Sequence, residues 1–263
     1  MTVLAYYTRR ENWWRLAAIL AYNVMFGLIF AFFAFQLADD TDGLRTRLAL
    51  FSAMRIESTA FSLYGTVNAF PFDTRLRILN NDSKNTNKTT RCLALVSTAL
   101  FIPMPWHFFC IFVKCVIVYP IAGLRCCVDH FLVFYLALIM QRFANMALGL
   151  WLASFTCDLN VGMILNGSGF LVNLLYSGTF YATDTVTWTL RWIEFIVPSY
   201  YTAEMMAQNE LSGVAEARPL LDGSVKYDQV SLWLSFILLV TTGLVYYLLA
   251  ILSLRMTLKS YRL

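Results

Sequence analysis

Six stretches of mostly apolar residues run through the chain, separated by clusters of polar and charged positions. A bilayer core about 30 Å thick takes roughly 20 apolar residues per helix, so each stretch predicts one span. The first runs from about Trp14 to Leu37 and is almost free of charge. The second, Leu48 to Phe70, includes Arg55 and Glu57; the third, Leu95 to Ala122, is interrupted by Pro103, Pro105 and Pro120. The fourth covers Val128 to Ser154, the fifth Val161 to Tyr181 and the sixth Ser231 to Leu254. Between the last two, Trp188, Trp192, Phe195 and Ile196 recur at helical spacing, with Thr187, Arg191 and Glu194 elsewhere on the surface. Pro198 is expected to break or kink that helix. Too short and too polar to span, it reads as a re-entrant or interfacial helix on the exocytoplasmic face, or as a partly buried loop helix. The expected fold is an all-α membrane protein, with residues 1–263 forming one transmembrane domain without repeats or linkers.

Composition supports that class. The chain is 59% hydrophobic and 14% charged, where a soluble domain carries about 25% charged residues. This excludes a disordered protein, a collagen and a nucleic-acid-coating protein. The net charge of +4 matters only through its placement. Arg75, Arg77, Lys84, Lys88 and Arg91 outweigh Asp73 and Asp82 between spans two and three, and Arg255, Lys259 and Arg262 follow span six. The stretch from Ala182 to Asp228 instead holds seven acids and three bases. Excess Lys and Arg mark the cytoplasmic side, so both termini and the second loop are expected in the cytosol. The first span is too long, and too aromatic at its end, for a cleaved signal peptide.

Charges inside spans cost about 2.5–3.5 kcal/mol on insertion scales and point to function by default. Arg55 and Glu57 stand two apart and cannot face each other on one helix. Either they face a water-lined cavity and shape substrate choice, or they are structural, with Glu57 pairing with Arg142 of span four. Lys114 reads as a packing or snorkelling residue. His107 and His130 have no second ligand at metal spacing, and the six Cys show no zinc pattern, only Cys126 and Cys127 being candidates for exocytoplasmic oxidation. The sequons at Asn81, Asn87 and Asn166 should stay unglycosylated, two lying in the cytosolic loop and one inside a span.

The block Tyr176-Ser177-Gly178, then Trp188 and Trp192, Pro198-Ser199-Tyr200 and Asn209-Glu210-Leu211 is similar in order and spacing to the F-S-G, W-L-x-W, S-P-x-R-Y and N-E-F series of G-subfamily ABC transporters. Asp40, Gly43 and Arg47 resemble that family's D-x-x-G-x-x-x-R, and Gly123-Leu124 and Leu148-Gly149-Leu150 fit as well. The chain thus resembles the transmembrane domain of a white or pleiotropic-drug-resistance type exporter, from about Arg9 onward. The resemblance implies six transmembrane helices of the type-2 ABC exporter kind, paired with a second transmembrane half as a homo- or heterodimer in the lipid bilayer. A cytosolic nucleotide-binding domain would drive the pair by alternating access.

On that resemblance, spans two and five line the cavity. Phe61, with Glu57 and Arg55, would face hydrophobic or amphipathic substrates such as lipids, sterols or xenobiotics. Thr179 and Phe180 match the valve above the cavity. Arg75, Arg77, Ser83 and Lys84 belong to the loop that rests on the nucleotide-binding domain, although Leu79-Asn80-Asn81 stands where the family usually carries an Arg-Glu pair. No G-x-x-x-x-G-K-[ST] occurs in the sequence, so nothing here cradles ATP phosphates. No catalytic residue, metal ligand or cofactor is expected in this chain, ATP and magnesium lying on the nucleotide-binding partner, and no nucleic acid is expected to bind. The alternative is a truncated or stand-alone membrane protein with a scaffolding or regulatory role.

Overall fold

A computed structural model describes residues 10–37, 41–69, 88–124, 127–156, 158–177, 188–211 and 231–260. Among them the chain is helical, without strands. Helix α1 is Arg10–Phe33 and α2 is Thr41–Ala69. The third apolar stretch forms two helices, α3 (Lys88–Phe101) and α4 (Met104–Ile121), because Pro103 cannot continue α3. Pro103 instead takes the N-cap of α4, and Pro105 falls in the first turn, where a missing N–H costs nothing. Helix α5 is Val128–Ala153. Helix α6 is Leu159–Leu175, begun by an Asp158 carboxylate that accepts from the Asn160 amide. It ends six residues before the predicted Tyr181, and 178–187 lie outside the described residues.

The segment beyond differs from expectation. Trp188–Arg191 is a single helical turn (α7), followed by a 3₁₀ turn at Trp192–Phe195. Pro198 does not break a helix there; it opens α8, Pro198–Leu211, using its fixed φ at the first helical position. The last helix, α9, is Leu232–Ser260.

Among the described residues, four helical stretches are long and apolar enough to cross a membrane: Trp13–Phe33, Cys92–Ile121, Val128–Ala153 and Leu232–Thr257. Helix α2 has 29 residues but carries Asp42, Arg45, Arg47, Arg55 and Glu57. Helix α6 is apolar but only 17 residues long.

Helix α5 is the hub, touching α2, α3, α4, α6, α8 and α9, whereas α1 lies mainly along α4. In lipid no hydrophobic force separates helix from solvent, so close packing of small residues must hold the bundle. Gly149 shows this: a Cβ there would stand 2.2 Å from the Thr66 hydroxyl oxygen of α2. Gly243 of α9 similarly lets the Phe143 ring and the Ala144 backbone of α5 approach. The outer faces of α1 and α9 present Trp14, Phe32, Phe33, Trp233, Ile237 and Leu248 outward.

One end of the bundle is tied by backbone. Gly123, at φ +66°, turns the chain after α4. The Gln36 and Leu37 amides then donate to the Ile121 and Ala122 carbonyls at 3.1 Å. Arg47 donates to the Leu37 carbonyl at 3.3 Å. Arg47 and the turn at Gly123, each from a motif block, are thus joined through Leu37.

Candidate functional site

Glu57 and Arg55 leave α2 on different sides, as their spacing requires. Arg55, only 2% exposed, projects to the seam with α6 and α8. Its guanidinium donates to the Ser177 and Ser199 carbonyls at 3.1 and 2.9 Å and to the Ser52 hydroxyl at 3.2 Å. Ser177 lies just past the end of α6, where a cation complements the helix dipole.

A hydrogen-bonded layer surrounds this contact. Thr59 and Ser199 join by their hydroxyls at 3.1 Å, and Ser199 donates to the Asn173 side-chain carbonyl at 3.1 Å. From α5, Gln141 and Asn145 donate to the Thr59 hydroxyl at 3.0 and 3.1 Å, and Gln141 also donates to the Arg55 carbonyl at 3.1 Å. A narrow crevice lined by Arg55, Ile56, Thr59, Phe170, Asn173, Leu174, Ser177 and Ser199 runs along this seam. The sequence reading missed the layer. Its signal was present: Gln141 and Asn145 stand four apart on one face of α5, and α6 repeats Gly-x-x-x-Asn at Gly162/Asn166 and Gly169/Asn173. Each of those Asn amides donates to the Gly carbonyl four residues back, at 3.0 Å.

Glu57 turns the other way. Its carboxylate accepts from the Lys114 ammonium of α4 at 2.6 Å, with both side chains almost completely buried. This corrects two expectations. The partner of Glu57 is Lys114, not Arg142, and Lys114 is a buried ion-pair member instead of a snorkelling residue. Arg142 is fully buried, and its guanidinium lies over the Phe61 ring, 4.5 Å from the centroid. Phe61 is half-buried, tilted against Tyr22 of α1 at 5.0 Å and edge-on to His107 of α4 at 5.7 Å. Tyr64, more exposed, approaches Phe170 of α6 at 6.3 Å. Phe61 and Glu57 therefore share one cluster, while Arg55 belongs to another. Thr179, Phe180, Arg75, Arg77, Ser83 and Lys84 all fall outside the described residues.

Helix α8 is buried on nearly every side, among α2, α5, α6 and α9. It begins beside Arg55, halfway along α2, and reaches the start of α5. There Asn209 donates to the His130 carbonyl at 2.9 Å, and its own carbonyl meets the His130 ring at 3.0 Å. Tyr119 donates to Glu210 at 3.0 Å, and Ser235 to Glu204 at 3.0 Å. These polar and acidic side chains are tolerated because other helices surround them and supply their hydrogen-bond partners. A helical bundle with several apolar helices, a buried polar helix and a buried Glu57–Lys114 ion pair suits a multi-pass membrane domain. Residues 2–211 match the family model of ABC-2 type transporters, and the chain belongs to that family of ABC membrane domains.

Proposed function

We propose that the chain is the permease half of a G-subfamily, white or pleiotropic-drug-resistance type, ATP-driven exporter of hydrophobic or amphipathic molecules. The family match over residues 2–211 carries this reading. A separate nucleotide-binding domain would supply ATP hydrolysis and magnesium, acting through the segment that includes Arg75, Arg77, Ser83 and Lys84. A second transmembrane half would complete the cavity. In this proposal α2 and α6 count as spans, giving six with both termini cytosolic, and the re-entrant role expected of Trp188–Ile196 passes to α8, since 188–195 forms only two short turns. Burial of α8 beside Arg55 supports the re-entrant reading, since a surface helix would show an exposed face. Thr179 and Phe180 would form the valve just beyond the end of α6.

Co-expression with a candidate ABC ATPase, reconstitution into vesicles and measurement of ATP-dependent substrate efflux test the function. Efflux that requires both chains supports the permease reading. Stable association without substrate-stimulated ATP turnover sinks it in favour of a scaffolding or regulatory role. Glycan attached at Asn81 or Asn87 in cells would reverse the proposed orientation.

A further inference from the structure

Two fully buried cations on different helices, Lys114 of α4 and Arg142 of α5, act on Glu57. Among the described residues Glu57 is the one carboxylate whose field reaches Arg142. Its Oε2 accepts from Lys114 at 2.6 Å, and its Oε1 has no hydrogen-bond partner among the described residues. The three Arg142 nitrogens make no hydrogen bond there either. An acceptor oxygen and a guanidinium fork are thus left over in one buried cluster, where an unmet charge is costly. Helical spacing brings them within reach. Glu57 and Phe61 are four apart on α2, so they share a face with Cβ atoms about 5–6 Å apart. The Arg142 guanidinium covers the Phe61 ring, 4.5 Å from its centroid. A change of rotamer therefore carries the Glu57 carboxylate from Lys114 toward Arg142 without displacing α2.

The two cations ride on elements that are held differently. Helices α2 and α5 pack closely, so Arg142 stays beside Glu57. Lys114 belongs to a pair, α1 with α4, tied at three heights. Trp106 Nε1 donates to the Leu16 carbonyl at 3.0 Å, a Cβ at Gly27 would stand 3.4 Å from Lys114 Cγ, and the Gln36 and Leu37 amides donate to the Ile121 and Ala122 carbonyls. Against α2 this pair packs sparsely, and the Glu57–Lys114 ion pair bridges the gap. Its firm contact with α5 lies in the later part of α4, where Phe112 and Tyr119 meet Phe131, Phe134 and Tyr135. At the other end α4 joins α3 through the helix break at Pro103. We propose that Glu57 is an exchangeable counter-ion: it holds Lys114 in this packing and pairs with Arg142 when the α1–α4 pair swings away from α2. Each arrangement leaves one cation over, Arg142 in the first and Lys114 in the second, which keeps the two close in free energy. The cation left over in the swung state is the lysine, whose long flexible stem can reach polar surroundings. The exchange gives the permease reading a moving part and does not depend on it.

A thermodynamic cycle in denaturant unfolding of the solubilised chain tests the exchange. Arg142→Met alone should change the folding equilibrium constant by less than about fivefold, because Glu57 stays on Lys114. Lys114→Met removes the resting partner, and in that chain Arg142→Met should lower the constant by at least about tenfold more than it does in wild type. With Glu57→Leu added to each chain the difference should vanish. Thiol labelling reads the swing, since Cys110 of α4 is buried beside Arg142 and Cys92 is buried in the cluster that α3 forms with α9. N-ethylmaleimide, located by mass spectrometry, should modify Cys110 at least about tenfold faster in Lys114→Met than in wild type, as a minor state becomes the main one. Cys92 should keep its wild-type rate. Equal effects of Arg142→Met in the two chains overturn the proposal, as does coupling that survives Glu57→Leu. It is equally overturned if Cys110 reacts no faster, or if Cys110 and Cys92 accelerate together. A Lys114→Met chain that does not fold also overturns it, since Arg142 has then failed to take over. If only the double variant is unfolded, recovery on adding Glu57→Leu supports the exchange and continued unfolding overturns it. No ATP is involved, so these outcomes stand apart from those of the efflux experiment.

Discussion

Arg55 and Arg142 are both buried arginines within the helical bundle, on opposite flanks of the same central packing, yet one is clamped and the other is not. Arg55 donates to two backbone carbonyls and a hydroxyl, joining α2 to the end of α6 and the start of α8. Arg142 rests on an aromatic face, without a hydrogen bond among the described residues. A saturated cation of the first kind holds helices in place. Arg142 instead relies on the Phe61 ring and on the field of Glu57, so it contributes less to fixing one helix against another. The two flanks therefore differ in how firmly a buried cation joins the helices around it.

The largest effect expected on this contrast comes from the ion pair beside Arg142. Lys114→Met strands the buried Glu57 carboxylate and should lower stability by about 3–5 kcal/mol. The double substitution Lys114→Met with Glu57→Leu should recover most of that loss in denaturant unfolding of the solubilised protein. Next, Arg55→Met should cost about 2–3 kcal/mol through lost charge-assisted bonds to the Ser177 and Ser199 carbonyls. Limited proteolysis should show faster cleavage around α8 in that variant. Gly149→Ala should cost about 1–3 kcal/mol by overpacking, since its Cβ would meet the Thr66 hydroxyl oxygen at 2.2 Å. Combining it with Thr66→Ala should relieve much of the loss, and an additive result would show that the backbone, not the hydroxyl, sets the spacing.

The smallest change sharpens the comparison most. Arg142→Met should unfold no earlier than wild type, within about 1 kcal/mol, because removing an uncompensated buried charge offsets the lost ring contact. A loss as large as that of Arg55→Met would show that both arginines are structural and would erase the distinction.

Much of this architecture was readable beforehand. The apolar runs of α1, α5 and α9 locate themselves, because about 20 apolar residues in lipid have few other conformations available. The split at Pro103 was signalled by the proline, although its result, a helix break inside one span-length stretch, depends on how α4 is capped. Pro198 misled for a related reason: it can end a helix or begin one, and only the neighbours of α8 select the second. The polar layer at Thr59, Gln141, Asn145, Asn173 and Ser199 went unread because it joins four helices, and each member alone looks like an isolated polar residue in an apolar run. Within the resemblance blocks, Asn209 and Glu210 anchor α8 and Arg47 ties to the Leu37 carbonyl, contacts that the motifs do not specify.

By itself the sequence determined the class of the protein: the low charge fraction and the spacing of apolar runs admit a membrane helical bundle and little else. It also determined that Arg55 and Glu57 must point to different neighbours, since helical geometry places residues two apart on different faces. Only the tertiary structure decided which neighbours. Pairing Glu57 with Lys114 instead of Arg142 depends on the distance between α2 and α4, a quantity set by the packing of all the helices together. That choice left Arg142 in excess behind Phe61, and no local pattern in the chain encodes it.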